Sequence, residues 1–290
     1  MTGTVHPRES SATGPSCEIL TRICPMSPTS LNRLSACLIT LNEERRLATA
    51  LASLAPVADE VIVVDAGSTD ATEEIARRAG AKFFLRPWTN YAEQKNFAAA
   101  QAGNDWILSL DADEELSAPL QSSLLEWKQR PPKFQVYEAS RRAWYLGAWI
   151  RHSGWYPDFQ RRLYRRDVAK FTGIIHEALR FSGEPGRLNG DILHYTIDTF
   201  AEHEEKVARY SALAAQQMHA AGRKSWRPAL LFATPWSWLR TYLLRGGFLD
   251  GYRGALIARM AARSVRLKYR QLGALLRQDH SAENEKRRTV

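Results

Sequence analysis

Four short apolar runs punctuate the first 116 residues, and polar stretches with helical periodicity separate them. Leu34–Leu41 (LSACLITL) is bounded by polar residues and reads as a buried strand. Asn42, Glu43 and Glu44 follow, and then Leu47, Leu51 and Leu54 recur on one helical face. Val61–Val64 is a β-branched run of the kind used by parallel strands covered on both sides. It ends in Asp65-Ala66-Gly67-Ser68-Thr69-Asp70, and a helix is predicted from about 71 to 79. Ala81–Leu85 predicts a third strand, Tyr91–Gln101 a helix and Trp106–Leu110 a fourth strand. The fourth strand ends in Asp111-Ala112-Asp113-Glu114-Glu115. The order β-α-β-α-β-α-β predicts an α/β fold with a doubly wound, mostly parallel sheet.

Ligands of such sheets sit beyond the carboxyl ends of the strands. The polar residues fall there: Thr40 and Asn42, Asp65 and Ser68, Asp111 and Asp113. No G-x-G-x-x-G follows the first strand and no G-x-x-x-x-G-K-[ST] occurs, which disfavours a dinucleotide dehydrogenase and a P-loop ATPase. Asp111 and Asp113 are two apart, so both can point to the same side of a strand end. Two such carboxylates repel, and Mg²⁺ or Mn²⁺ with phosphates and water is the usual remedy. Taken alone, the pair is a weak signal and reads more readily as a solvated acidic turn capping the next helix. Asp65 could accept hydrogen bonds from a base or a ribose, or belong to an ordinary helix cap. Lys95 could neutralise a diphosphate or be a solvated helix lysine.

The segments LSACLITLNEE, VIVVDAGSTDAT, YAEQKNFA and WILSLDADEEL, in this order, resemble the family-2 glycosyltransferases with the GT-A fold. Within them the chain is similar to the lipopolysaccharide-core β-glucosyltransferase group. The resemblance continues through GWYPDFQRRLYRR, GIIHEAL and RGGFLDGYRG, and so covers roughly residues 33–270. It implies an inverting transfer of a hexose from a nucleotide sugar, of the UDP type, to a lipid-linked glycan such as lipopolysaccharide core. It further implies that Thr40, Asn42 and Glu43 line the nucleotide pocket, that Asp65 holds the base and that Lys95 lies near the diphosphate. Asp111 would contact ribose or metal, and Asp113 would ligate Mg²⁺ or Mn²⁺. Many members carry Asp-Asp or Asp-Gly where this chain has Asp65-Ala66.

An inverting displacement needs a stabilised leaving diphosphate and a carboxylate that takes the acceptor proton. Two carboxylates are candidates, Asp158 and Glu177, and Asp158 is favoured because it precedes Arg161 and Arg162 as the family's base typically precedes an Arg. His176 is a candidate metal ligand or diphosphate contact. Seven aromatics lie between Trp144 and Tyr164; most are expected to fill the core, with one or two facing an acceptor sugar. Arg141, Arg142, Arg151, Arg161 and Arg162 interleave with them and would suit a phosphorylated acceptor.

Charge adds a second region. The 290 residues carry a net +9, and 11 basic residues against Asp250 alone fall between Arg223 and Arg270, so the rest of the chain sums to −1. Arg253, Arg259, Arg263 and Arg266 recur at nearly helical spacing among Trp and Tyr, and Pro235 interrupts the apolar part. This predicts amphipathic helices lying on an anionic membrane surface. The expected division is a disordered segment 1–30, a catalytic domain 31–222, a membrane-associating helical region 223–278 and a disordered tail 279–290. No run of 18 apolar residues predicts a transmembrane helix, and three cysteines without metal-ligand spacing suit a reduced compartment. The expected location is cytoplasmic, on the inner face of the cytoplasmic membrane. A polyprenyl-phosphate glycosyltransferase is the enzymatic rival. A nucleic-acid-binding module is the rival of another class, but the near-neutral body and the lack of a recognition motif argue against a nucleic-acid partner.

Overall fold

Continuous runs of leucine and β-branched residues need cover on both sides, and the first strands receive it. A computed structural model describes residues 31–173, 177–224 and 226–288. The segment 1–30, expected to be disordered, and His176 lie outside the described residues. Strands β1 (Leu34–Thr40), β2 (Glu60–Asp65), β3 (Lys82–Leu85) and β4 (Trp106–Asp111) are mutually parallel in the order β3-β2-β1-β4. Alternate residues face opposite layers. Leu34, Ala36, Leu38, Val61 and Val63 pack with helices α1 (Leu47–Leu54) and α2 (Thr72–Arg78), while Cys37, Ile62, Val64 and Ile107 pack with α3 (Tyr91–Ala100). The chain runs outward from β1 to β3 and then returns to β4 on the other side of β1, so the strand order reverses between β1 and β4.

The second half of the sheet is antiparallel where it joins the first. After the short β5 (Glu114–Leu116) and helix α4 (Ala118–Lys128), strands β6 (Val136–Tyr145), β7 (Ala148–Trp149) and β8 (Asp158–Arg165) follow. A separate ribbon, β9 (Lys170–Thr172) with β10 (Ala178–Arg180), precedes the long β11 (Gly186–Ile197). β8 pairs antiparallel with both β4 and β6; β11 lies parallel to β6, β5 closes the edge, and β7 pairs with the end of β6. The expected doubly wound parallel sheet is thus present in β1–β4 and widened by a mixed half, the GT-A architecture.

A buried ion pair fastens α4 to the start of β1. Lys128 Nζ donates to Asp59 Oδ2 at 2.7 Å and to the Val57 carbonyl at 2.9 Å. The same Asp59 oxygen accepts from the Leu34 amide at 2.8 Å.

The C-terminal helices depart from the expected boundaries. Helix α5 (Phe200–Ala220) already packs along α7 (Gly251–Arg288), so the helical region begins near Phe200 and not at 223. α7 continues as helix to Arg288, where a disordered tail was expected from 279, and it is about 57 Å long at 1.5 Å per residue. Helix α6 (Arg227–Leu239) passes through Pro235 without breaking, and a π-helical turn (Arg240–Leu244) and a 3₁₀ turn (Gly247–Asp250) lead into α7. At that entry a Cβ on Gly254 would lie 1.7 Å from the Gly247 carbonyl oxygen, so only glycine fits. The arginine series expected to lie on a membrane is partly engaged within the fold: Arg253 Nε donates to the Leu146 carbonyl at 2.8 Å, and Arg263 pairs with Glu204 of α5.

Lys128→Met would leave Asp59 buried without its counter-charge. The expected cost is roughly 3–5 kcal/mol of unfolding free energy, read by urea denaturation. A loss below about 1 kcal/mol would mean that the pair does not hold α4 in place.

Candidate active site

The reversal of strand order leaves a crevice at the carboxyl end of β4, and a chain of alternating charges lines it. Asp111 ends β4. Its Oδ1 lies 2.9 Å from Lys95 Nζ, and its Oδ2 accepts from Arg162 at 2.8 Å. Lys95 also meets Glu177 at 3.2 Å. Arg162 also meets Glu114 at 2.6 Å, and Glu114 lies 3.5 Å from Arg141. Arg141 grips Asp158 through two bonds of 2.7 and 3.0 Å. The run is therefore Glu177–Lys95–Asp111–Arg162–Glu114–Arg141–Asp158.

Local sequence explains each placement. Ala92, Lys95 and Ala99 share the buried face of α3, so helical spacing turns Lys95 inward to 4% exposure. Asp158, Gln160 and Arg162 alternate along β8 and point to one side. Arg141 is the register partner of Asp158 across the β6–β8 ladder. Burial opposes the charge on Asp111, but Arg162 and Lys95 outweigh it and hold the carboxyl far below the usual carboxylate range. Burial likewise opposes the charge on Arg162, while Asp111 and Glu114 keep it firmly protonated. Arg162 Nε is buried and has no hydrogen-bond partner among the described residues. Lys95, Asp111, Arg141, Arg162, Gln160 and Glu177 all line one cavity of about 230 Å³.

A second group ties the loop after β1 to the loop after β2. Asp65 is 1% exposed and accepts four hydrogen bonds: from the hydroxyls of Thr40 (2.7 Å) and Ser68 (2.5 Å), and from the amides of Ser68 (2.7 Å) and Gly67 (2.8 Å). Burial opposes its ionisation, and these bonds, Ser68's foremost, hold its carboxyl below the ordinary value. A base or ribose approaching Asp65 would have to displace one of them. Asn42 adopts φ 56°, which asparagine tolerates better than most residues. Its amide donates to Ser68 Oγ at 2.7 Å, and its side-chain oxygen accepts from the Thr69 amide at 2.9 Å. The Glu43 amide donates to Thr72 Oγ1 at 2.8 Å. Thr40, Asn42, Glu43 and Asp65 are thus together on one rim, and Lys95, Asp111, Asp158 and Glu177 are together on the other.

Asp111 and Asp113 do not act as a matched pair. Asp111 faces the two cations, while Asp113 Oδ2 lies 3.1 Å from His194 Nε2. Both oxygens of Asp111 are thus engaged within the charge cluster. Among the described residues no three His, Cys, Asp or Glu side chains come together as a metal centre. One or two carboxylates nevertheless suffice for Mg²⁺ when phosphates and water complete the shell. The Glu43 carboxyl is pushed up to about 7, by burial first and then by Asp113, Asp70 and Asp111, with Arg46 pulling the other way. Asp113 and Glu43 offer the hard carboxylate oxygens that Mg²⁺ takes. Glu114, Arg162 as an inner cation and His194 were missed in the sequence. Their one signal there is a charged residue at an inward position of a strand.

Comparison with known proteins assigns the family. The family model described as Glycosyl transferase family 2 matches residues 35–181, half of the chain. The chain belongs to glycosyl transferase family 2. An uncharacterized glycosyltransferase of Rickettsia typhi is 32% identical over 88% of this transferase and 92% of its own length. The lipopolysaccharide core biosynthesis glycosyltransferase LpsC of Rhizobium meliloti is 31% identical over 80% of the transferase and 91% of its own length. Glucosyl-3-phosphoglycerate synthase of Mycobacterium tuberculosis, solved with Mn²⁺, UDP and phosphoglyceric acid, is 25% identical, with a TM-score of 0.33. The match covers 37% of the transferase and 43% of that chain.

The proton on Glu43 stabilises the fold below its unfolded value of 4.5, and that contribution is lost as pH rises through about 7. Glu43→Gln should therefore gain stability relative to the parent as pH rises from about 5 to about 8. Urea denaturation across that window measures it, and a pH-independent difference would contradict the placement of Glu43 in a negative field.

Proposed function

We propose that this transferase moves a hexose, with inversion, from a nucleotide sugar to a lipid-linked glycan of the lipopolysaccharide-core type at a membrane face. The observation that carries the reading is Lys95 Nζ, held between Asp111 at 2.9 Å and Glu177 at 3.2 Å on the wall of the cavity. In this reading a buried cation serves the leaving diphosphate and a carboxylate on the same cavity wall serves the acceptor, the two kinds of charge an inverting displacement uses. The UDP type of donor is the one the sequence resemblance implies. The LpsC relative supports a lipopolysaccharide-core acceptor.

In this reading the acceptor oxygen forms a bond to the anomeric carbon as the bond to the diphosphate oxygen breaks. The acceptor proton passes to Glu177. Glu177 is preferred over Asp158 because it lines the cavity directly, whereas both Asp158 oxygens are engaged, Oδ2 by Arg141 and Oδ1 by Gln160 at 2.8 Å. Asp158 instead positions Arg141. Lys95 and Arg162, both on the cavity wall, offer positive charge to the departing diphosphate. Mg²⁺ or Mn²⁺ held by Asp113 with Glu43 would supply Lewis-acid stabilisation of the same leaving group. Thr40, Asn42 and Asp65 shape the nucleoside rim.

The acceptor side is marked by aromatics. Trp144, Trp149 and Tyr195 form a half-buried trio with ring centroids 5.0 to 6.0 Å apart, and the Tyr195 amide donates to the Asp113 carbonyl at 3.0 Å. Such rings present faces to the C–H side of a sugar. Tyr145 and Tyr164 are core residues, and Arg162 is an inner cation and not an acceptor contact.

Glu177→Gln should lower transfer about 10²–10⁴-fold, the range of a lost general base, while nucleoside diphosphate binding by calorimetry is retained. Asp158→Asn should cost less than about tenfold. The reverse ranking would assign the base to Asp158, and full activity in both variants would overturn the proposed mechanism.

A further inference from the structure

Helix α6 is a helix without a buried residue. Its inner side, Ala229, Leu230 and Ala233, packs against Tyr269 and Leu272 of α7. Its outer side carries Phe232, Trp236 and Leu239 at i, i+4 and i+7, a single helical stripe. The exposed apolar series runs on through Leu244 in the π-helical turn and Phe248 and Leu249 in the 3₁₀ turn. Phe232 is 69% exposed, Leu244 66% and Leu249 60%. Soluble surfaces rarely keep so many large apolar side chains in one sequence-continuous ridge.

The charges around the ridge are of one sign. From Arg223 to Asp250 there are five basic residues and one acid. That acid, Asp250, is turned inward: its carboxylate accepts from the amides of Arg151 (3.2 Å) and His152 (3.1 Å) and from the hydroxyl of Ser153 (2.8 Å). The ridge therefore presents only apolar and cationic groups. We infer that the α6 ridge and the two turns after it insert into the interfacial layer of an anionic phospholipid bilayer, with the flanking cations on the lipid phosphates. This is in-plane attachment; none of the described helices is long and apolar enough to cross a membrane. The attachment surface differs from the arginine series of α7 that the sequence singles out.

The ridge is also latched to the catalytic half. The Ser153 amide donates to the Arg245 carbonyl at 2.9 Å, and a Cβ on Gly154 would lie 2.4 Å from the Arg245 side chain. With the Asp250 bonds, this fixes the ridge against the loop that leads into β8, the strand bearing Asp158 and Arg162. A bilayer seated on the ridge is thereby held at a fixed distance from the cavity. The inference deepens the proposed function and rests on its membrane-borne acceptor, yet its test needs neither donor nor acceptor.

The full-length protein is sedimented with vesicles of phosphatidylcholine alone and of phosphatidylcholine with phosphatidylglycerol. Binding is expected only to the anionic vesicles, weakened by high salt. The triple variant Phe232→Ser/Leu244→Ser/Leu249→Ser should lose about tenfold or more in vesicle affinity, with unchanged circular dichroism. A wild-type protein that ignores anionic vesicles, or a folded triple variant that binds them as well as the parent, overturns the inference. So does a ridge that proves to be a contact between two copies, seen as a dimer in the parent that becomes a monomer in the variant while neither binds vesicles. Loss of transfer with vesicle binding intact would count against the proposed reaction and leave the attachment surface standing.

Discussion

Asp111 is one carboxylate set between two buried cations, and the candidate site is arranged around it. Burial of Lys95 and Arg162 is costly unless each finds a counter-charge. Asp111 meets both, and Glu114 and Glu177 complete the second half of each pair. The result is a rigid network of alternating charge at the mouth of a parallel sheet. Asp111 fastens the cations, whereas its neighbour Asp113 lies beside His194, so the two members of the Asp-x-Asp pair turn to different partners.

The legible part of the fold is the part whose apolar runs are continuous. β1, β2 and β4 are buried on both sides, so their sequences carry no polar alternation and stand out. Strands β6, β8 and β11 of the mixed half each carry charged residues inward, at Arg141, Arg162 and Asp191, and their sequences read as mixed. The same reason hid Glu114 and His194. An inward charge is unremarkable until the opposite strand supplies its partner, and those partners lie 48 and 81 residues away. The candidate residues Lys95, Asp111, Asp158 and Glu177 were visible by type and do converge. What spacing along one strand did not convey was that Asp111 and Asp113 turn to different partners.

The C-terminal region shows the same division between type and placement. Its basic, aromatic composition is plain in the chain, and so is its helicity. Which residues face outward depends on how α7 packs against α5 and the turn after β6, contacts that engage Arg263 and Arg253 while Phe232, Leu244 and Leu249 stay uncovered. Through Asp250 and Arg245 this exposed ridge is joined to the loop before β8, so the ridge and the charge cluster share one piece of structure.

The most direct test of the central claim is a crystal structure of the complex with a nucleoside diphosphate and Mn²⁺. The account predicts that the diphosphate lies within about 3 Å of Lys95 Nζ, that the metal is on Asp113, and that Asp111 keeps its bonds to Lys95 and Arg162. A nucleotide bound away from this cavity, or an Asp111 that leaves both cations to ligate the metal, would contradict it.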